Sequence, residues 1–145
     1  MKISTKGRYA VRMMLDLALH GEDGYIPLKS VAAHQQISNK YLEQIVIQLN
    51  RAGYVKSIRG VQGGYALTKS PKEYTVGDIL RAVEGDLAPV ACLDCKVPQP
   101  CSKMDSCATV VVWRKLKQAI DQVVDSYTLQ DLINIQNERS AENDS

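Results

Sequence analysis

The sequence predicts a mainly α fold with a small β-hairpin wing, arranged as a winged helix-turn-helix followed by a long C-terminal helix. Three observations lead there. Apolar residues recur at helical spacing through the first 52 residues, a glycine-rich hairpin pattern follows, and a second long helical stripe lies beyond residue 107. The 145 residues, 45% hydrophobic and 23% charged, are enough for one ordinary globular domain with an appendage.

The first helix should start after Ser4 or Thr5 and bury Val11, Met14, Leu15 and Ala18, ending before Gly21. Lys2, Lys6 and Arg8 ahead of an apolar stretch superficially suggest a signal peptide. Arg12 and Asp16 interrupt that stretch, however, and no small-residue cleavage site follows, so the segment reads as a helix of the fold. Gly21, Asp23, Gly24 and Pro27 make a loop, and a short second helix covers Leu28 to Gln36.

Ser38 is a fitting N-cap for a third helix running to about Ala52, where Gly53 stops it. Leu42, Ile45, Val46 and Leu49 fall at i, i+3, i+4 and i+7 and face a core. Asn39, Lys40, Glu43, Gln44, Gln48 and Arg51 are left pointing away. Tyr54, Val55 and Ile58, then Tyr65 and Leu67, are β-prone residues flanking the turn Arg59-Gly60-Val61-Gln62-Gly63-Gly64. Helix, short helix, helix, hairpin is the order of a winged helix-turn-helix.

A fourth helix opens with the capping box Thr75-Val76-Gly77-Asp78 and runs to about Glu84, before Gly85. A proline-containing cysteine loop follows. A long helix then spans about Cys107 to Ser126, with Ser106 in a position to cap it, and Thr128-Leu129-Gln130-Asp131 opens a short last helix. The polar residues 137–145 read as a mobile tail.

Charge separates the two halves. Residues 1–72 hold 11 Lys/Arg against 4 Asp/Glu, whereas residues 73–145 hold 7 against 12. A basic N-terminal half is the footprint of a surface that meets phosphates. The outer face of the third helix has the chemistry for reading bases: Asn39 and Gln44 suit adenine, Lys40 guanine and Glu43 cytosine, while Ser38 at the helix N-terminus can hold a phosphate. In the hairpin, Lys56, Ser57 and Arg59 with Gly60, Gly63 and Gly64 form a tip whose backbone can approach a sugar-phosphate wall and whose arginine can enter a minor groove. A nucleotide-binding loop is poorly supported, since no Gly-Lys-Ser or Gly-Lys-Thr follows the glycines.

The four cysteines, Cys92, Cys95, Cys101 and Cys107, are the chain's full complement and lie in the pattern Cys-x2-Cys-x5-Cys-x5-Cys. Pro98 and Pro100 prevent a regular helix between Cys95 and Cys101, so the sulfurs can gather around one centre. An iron–sulfur cluster, a tetrahedral zinc site and a thiol–disulfide switch all fit. The paired Cys-x2-Cys knuckles of zinc ribbons are missing, which favours the cluster. The positive N-terminal end of the long helix would favour a thiolate at Cys107.

Trp113, Leu116, Ile120, Val123 and Tyr127 recur at steps of three and four along that helix, the stripe of a dimerisation seam, with Val112 and Val124 widening it. A dimer would double the recognition helices, as a palindromic site on double-stranded DNA requires. No Ser/His/Asp or paired-carboxylate arrangement accompanies the cysteines, so the chain reads as a non-enzyme with no catalytic residues; His20 and His34 are assigned no role. No apolar run reaches the length of a membrane span, so no membrane partner is expected and a cytoplasmic location is.

The chain is similar from end to end to the bacterial winged-helix regulators that include IscR, NsrR and CymR. The resemblance is carried by Met1-Lys2-Ile3-Ser4-Thr5-Lys6-Gly7-Arg8-Tyr9-Ala10, by Ser38-Asn39-Lys40-Tyr41-Leu42-Glu43-Gln44, and by Val55-Lys56-Ser57-Ile58-Arg59-Gly60 with Gly63-Gly64-Tyr65. Asp78-Ile79-Leu80 and Val83-Glu84-Gly85 complete it. The resemblance implies a homodimer crossing its long helices, a DNA-binding repressor or dual regulator, and, where three cysteines are present, an iron–sulfur cluster that alters DNA affinity. Tyr41 joins the implied DNA-binding set.

Cys95, Cys101 and Cys107 match the family's three-cysteine spacing. IscR-like members add a histidine three residues after the last cysteine, where this chain has Val110; NsrR-like members use an acidic residue near the start of the first helix, where this chain has Arg8. Cys92 then stands as the fourth ligand of an all-thiolate site, with a 2Fe-2S cluster favoured and a 4Fe-4S cluster the alternative.

The implied organisation is a winged helix-turn-helix DNA-binding domain (1–85), a cysteine-rich cluster-binding loop (86–108), a dimerisation helix with a short C-terminal helix (109–136), and the tail (137–145). The implied function is transcriptional regulation, with control of iron–sulfur cluster assembly genes as the first reading. A nitric-oxide or iron-responsive regulator, or a CymR-like regulator controlled by a bound metabolic enzyme, are the alternatives.

Overall fold

The computed structural model describes residues 2–94, 103 and 105–143. Its helices are α1 (Thr5–Leu19), α2 (Leu28–Gln35), α3 (Asn39–Arg51), α4 (Val76–Glu84), α5 (Ala108–Ser126) and α6 (Leu129–Asn143), with strands β1 (Val55–Ile58) and β2 (Gly64–Leu67) between α3 and α4. The architecture is mainly helical with a two-stranded antiparallel hairpin, as the sequence predicts. None of the described helices is long and apolar enough to cross a membrane.

The caps follow the local chemistry. Ser4 accepts from the Gly7 N–H and Ser38 from the Tyr41 N–H, each satisfying a donor that the first turn leaves unpaired. Thr75 and Asp78 form a reciprocal capping box, and Thr128 and Asp131 repeat it at α6. Ser106 does not cap α5. Cys107 takes the N-cap position, and the Ser106 hydroxyl donates to the Lys103 carbonyl instead.

The buried stripe of α1 is Ala10, Met13, Met14 and Leu17 rather than the Val11-Met14-Leu15-Ala18 stripe expected. The reason is that α1 is the central helix. It packs against α2, α3, α4, α6 and β2, so Val11, Leu15 and Ala18 sit on the margins of a face set one residue earlier. In α3 the expected stripe Leu42, Ile45, Val46 and Leu49 is buried. Gln48, expected outside, is half-buried with its Oε1 unpaired among the described residues. It lies seven residues after half-buried Tyr41, hence on the same flank of the helix.

The hairpin pairs Val55 with Leu67 through Ile58 with Gly64, and Ile26 adds an isolated backbone bridge on the far side of β2 through reciprocal 2.8 Å hydrogen bonds with Tyr65. Tyr74, fully buried, donates its hydroxyl to the Tyr54 carbonyl at 2.8 Å and receives the Thr68 and Lys69 N–H groups. It thereby locks the base of the wing to the start of α4. The last helix is longer than expected, at 15 residues. It returns to the winged part through a Thr75–Thr128 bridge and packs on α1.

Candidate nucleic-acid interface and cysteine centre

The outer face of α3 and the arm of the wing supply the side chains expected to meet DNA. Lys40, Gln44, Lys56 and Arg59 are exposed, and none of their side chains hydrogen-bonds or ion-pairs with another described residue. Ser57 is exposed in β1. Asn39 and Glu43 are exposed but bonded to each other, Asn39 Nδ2 donating to Glu43 Oε1 at 3.0 Å. That contact orients both and reduces what either offers a base without rearrangement. Tyr41 is half-buried, set edge-on to Tyr9 of α1 at 5.5 Å between centroids, so it also braces α3 against α1. Ser38 caps α3, as above.

The glycines have reasons inside the fold. Gly60 adopts φ +113°, a conformation that side chains resist. A Cβ on Gly63 would strike the Ile58 carbonyl, and one on Gly64 would strike the Ile26–Pro27 backbone. Close packing of the wing on its own bridge therefore accounts for Gly63 and Gly64 without a ligand. One residue of this face escapes the sequence reading. Ile47 projects outward beside Gln44 and is 51% exposed, detectable only as an apolar side chain lying off the buried stripe.

Of the four cysteines, Cys95 and Cys101 lie outside the described residues. Cys92 sits in the short turn Ala91–Leu93, and Cys107 at the N-cap of α5; both are partly exposed. The Cys107 sulfur lies 3.1 Å from the Thr109 hydroxyl. That contact, with the backbone groups of Val110 and Thr109, pushes the thiol below its ordinary value. Donors aimed at a sulfur stabilise its anion, the form that binds a metal or an iron–sulfur cluster. Val110, three residues on, is 3% exposed and turned into the protein, where it offers only packing. The donor chemistry of this helix start fits a soft metal centre.

The C-terminal half of the same helix is what joins it to the winged part, through α4. Arg81 ion-pairs with Asp121 and Asp125 of α5, and Lys117 pairs with Asp121 at 2.8 Å and with Asp86 at 3.7 Å. The Lys117 ammonium is the main reason the Asp121 carboxyl is held below the usual range, with Arg81 adding to it. Away from this seam α5 carries an open apolar stripe. Val112, Val123 and Tyr127 are exposed, Trp113, Leu116, Ile120 and Val124 half-buried.

Comparison with known proteins agrees with this geometry. A family model described as Rrf2, iron-dependent transcriptional regulator, matches residues 3–135. The transcriptional regulator CymR of Bacillus subtilis is 44% identical over 132 residues, 91% of this chain and 89% of that protein. The regulator IscR of Pectobacterium carotovorum is 40% identical over 134 residues, 92% of this chain and 80% of its own. Among solved structures, IscR of T. potens aligns with TM-score 0.79 at 43% identity, covering 96% of this chain and 90% of that one. CymR of B. subtilis, described as the global cysteine regulator, aligns with TM-score 0.75 at 41% identity, covering 93% and 98%. These relatives are regulators rather than enzymes.

Proposed function

The chain belongs to the Rrf2 family of DNA-binding transcriptional regulators, and on that premise we propose that it is a homodimeric repressor whose grip on a palindromic operator is set by an iron–sulfur cluster. Cys95, Cys101 and Cys107 hold the cluster, with Cys92 as the fourth thiolate, and the regulated genes include those for cluster assembly. The observation that carries the reading is the Cys107 sulfur at the N-terminus of the helix that Arg81 fastens to the winged part, 3.1 Å from the Thr109 hydroxyl, a contact that lowers its thiol from the ordinary value. Bound there, a cluster supplies redox and occupancy sensitivity. The chain's own residues supply the coupling: α5, as one helix, carries a shift of its start along to Asp121 and Asp125, where the Arg81 pairs pass it to α4 and thence to α1 and α3.

On the DNA side, Lys40 and Gln44 read base edges in the major groove and Ile47 meets a thymine methyl. Lys56 and Ser57 grip phosphates while Arg59 enters the minor groove. Ser38, Asn39, Tyr41, Glu43, Gly60, Gly63 and Gly64 set the geometry of that surface. The exposed apolar face of α5 supports dimerisation along Trp113, Leu116, Ile120, Val123 and Tyr127.

Likeness to CymR supports a second reading, in which a bound partner protein sets DNA affinity. It leaves the four cysteines without a task. Anaerobic purification with iron and acid-labile sulfide counts, followed by selection of bound sequences from a random duplex pool before and after cluster removal, separates the two. Iron and sulfide in equal amounts, with a changed operator affinity on removal, is expected. Zinc alone, or no metal with unaltered affinity, would exclude the cluster.

A further inference from the structure

Asp16 of α1 is the one charged side chain among the buried described residues, at 1% exposed. No lysine or arginine pairs with it among those residues. Gln35 Nε2 donates to its Oδ1 at 2.9 Å, His34 Nδ1 lies 3.1 Å from its Oδ2, and His20 Nδ1 lies 3.7 Å from the same oxygen. His20 Nδ1 is also 2.9 Å from the Asp16 backbone carbonyl, a contact that a bound ion would replace. The two imidazoles, from the end of α1 and from α2, stack at 4.5 Å between centroids. A buried carboxylate is tolerated only when it is hydrogen-bonded or its charge is compensated, and here, beside the neutral Gln35 amide, its partners are two imidazoles, a side chain that also serves as a metal ligand.

The spacing suits an ion. Zinc bonds of about 2.0–2.1 Å in a tetrahedron give ligand-to-ligand edges of roughly 3.3–3.4 Å. The distances of 3.1 and 3.7 Å bracket that edge, and one ligand atom from each of the three residues falls within 4.8 Å of the others. A groove lined by Gln136, Asn137 and Ser140 of α6 lies beside the cluster, giving room for a water as fourth ligand.

We propose that Asp16, His20 and His34 form a second metal site, distinct from the cysteines, that takes a divalent transition-metal cation of the imidazole-preferring class, zinc foremost. Two nitrogens and a carboxylate oxygen select such an ion, whereas the thiolates select softer centres. The bound ion ties the C-terminus of α1 to α2, the helix that leads into the recognition helix. Occupancy therefore stiffens the platform on which α3 stands. The site does not depend on what the cysteines carry.

Equilibrium dialysis against zinc, with the full chain purified anaerobically, tests this in wild type, His20→Gln, His34→Gln and the double variant. Wild type should bind one more zinc equivalent than the double variant, each single variant should weaken that equivalent about tenfold or more, and zinc should raise the melting temperature of wild type more than that of the double variant. Cobalt substitution identifies the ligands: the equivalent lost should contribute visible bands without the near-ultraviolet sulfur-to-cobalt band. Glutamine at 34 keeps a donor for Asp16, and circular dichroism without metal verifies that the variants fold. Equal zinc stoichiometry and affinity in wild type and the folded double variant, or a lost equivalent that carries the sulfur band, would overturn the proposal.

Discussion

Arg81 of α4 meets Asp125 of α5 two-pronged, Nη1 donating to Oδ1 at 2.7 Å and Nη2 to Oδ2 at 3.0 Å. The same Nη2 reaches Asp121 Oδ1 at 2.9 Å. Geometry of this kind raises an ion pair above the ordinary surface value, because the planar fork loses little freedom in forming it. Gly77 lies against the pair: a Cβ there would run into Asp125 Oδ1. The helix bearing Cys107 at its start is thus fastened to the winged part by charge.

Breaking this contact should loosen α5 more than it unfolds the domain. Arg81→Met is expected to cost about 1 kcal/mol in urea unfolding, the upper end for partly exposed pairs, and its coupling to Asp125→Asn in a double-mutant cycle should account for most of that. The acid dependence follows from Asp121, whose carboxyl is held low chiefly by Lys117. A carboxyl with a depressed folded pKa contributes its full stabilisation above the unfolded value of about 3.9 and loses it as pH falls through the folded value. Asp121→Asn should therefore flatten the stability profile below about pH 4 and leave its shape near neutrality unchanged.

Gly64→Ala should be the most damaging single-methyl change in the wing. Its Cβ would meet the Ile26 carbonyl group and Pro27 nitrogen, backbone atoms held by the Ile26–Tyr65 bridge and unable to swing aside. Overpacking of this sort costs on the order of 1–3 kcal/mol. Thermal unfolding measures it. A Gly64→Ala protein with wild-type stability would mean that the bridge is not formed in solution.

The winged architecture is legible because its signals are local. Ser38, Thr75 and Thr128 announce helix starts that the structure contains, and the apolar stripe of α3 is the one its spacing predicts. What the sequence hides is long-range. The buried face of α1 depends on five neighbouring elements, and no spacing within Thr5–Leu19 encodes where they pack. Asp16, His20 and His34 come together only because α2 folds back on α1; the i, i+4 spacing of Asp16 and His20 is a hint, but His34 stands 14 residues further on. Gly63 and Gly64 look in the sequence like room made for DNA, whereas the hairpin and the Ile26 bridge already need them.

Arg59→Ala should weaken specific operator binding by about 1–3 kcal/mol while leaving the melting temperature unchanged, since the residue is exposed in the turn of the hairpin. Gln44→Ala should relax base preference at one operator position per half-site more than it lowers nonspecific binding. Fluorescence anisotropy with matched and point-changed duplexes reads both. Wild-type affinity and selectivity in both variants would remove this face as the reader.

Ile120→Glu tests the seam. Ile120 is half-buried beside exposed Val123, and in a dimer packed along this stripe a carboxylate there would be desolvated against apolar side chains. The expected product is a folded monomer with little operator affinity, because one half-site alone offers a small interface. Sedimentation velocity measures the mass directly. An intact dimer would put the interface on another surface.

The most discriminating prediction concerns Cys92, because it rests on where this chain departs from its IscR-like relatives. Position 110, where the IscR-like pattern calls for histidine, holds a valine at 3% exposure that gives a metal no lone pair and fills space in the fold. Cys92, in the turn Ala91–Leu93, is partly exposed and separated from Cys95 by Leu93 and Asp94 alone. If it is the fourth thiolate, Cys92→Ala should lower iron retained after anaerobic desalting and shift the visible spectrum, since one soft ligand is lost. Val110→Ala should leave the spectrum alone and instead cost stability through a small cavity, about 1–2 kcal/mol for a buried valine. Adding Val110→His to the Cys92→Ala background is the sharper arm: the buried setting of Val110 means that the larger imidazole must turn outward at the first turn of α5 to reach a cluster held by Cys107. Recovery of iron with an altered spectrum would show that the helix start can still aim a ligand at the centre. A Cys92→Ala protein that keeps its iron and its spectrum would exclude Cys92 and direct the search to a small thiol, solvent or a residue of the partner subunit.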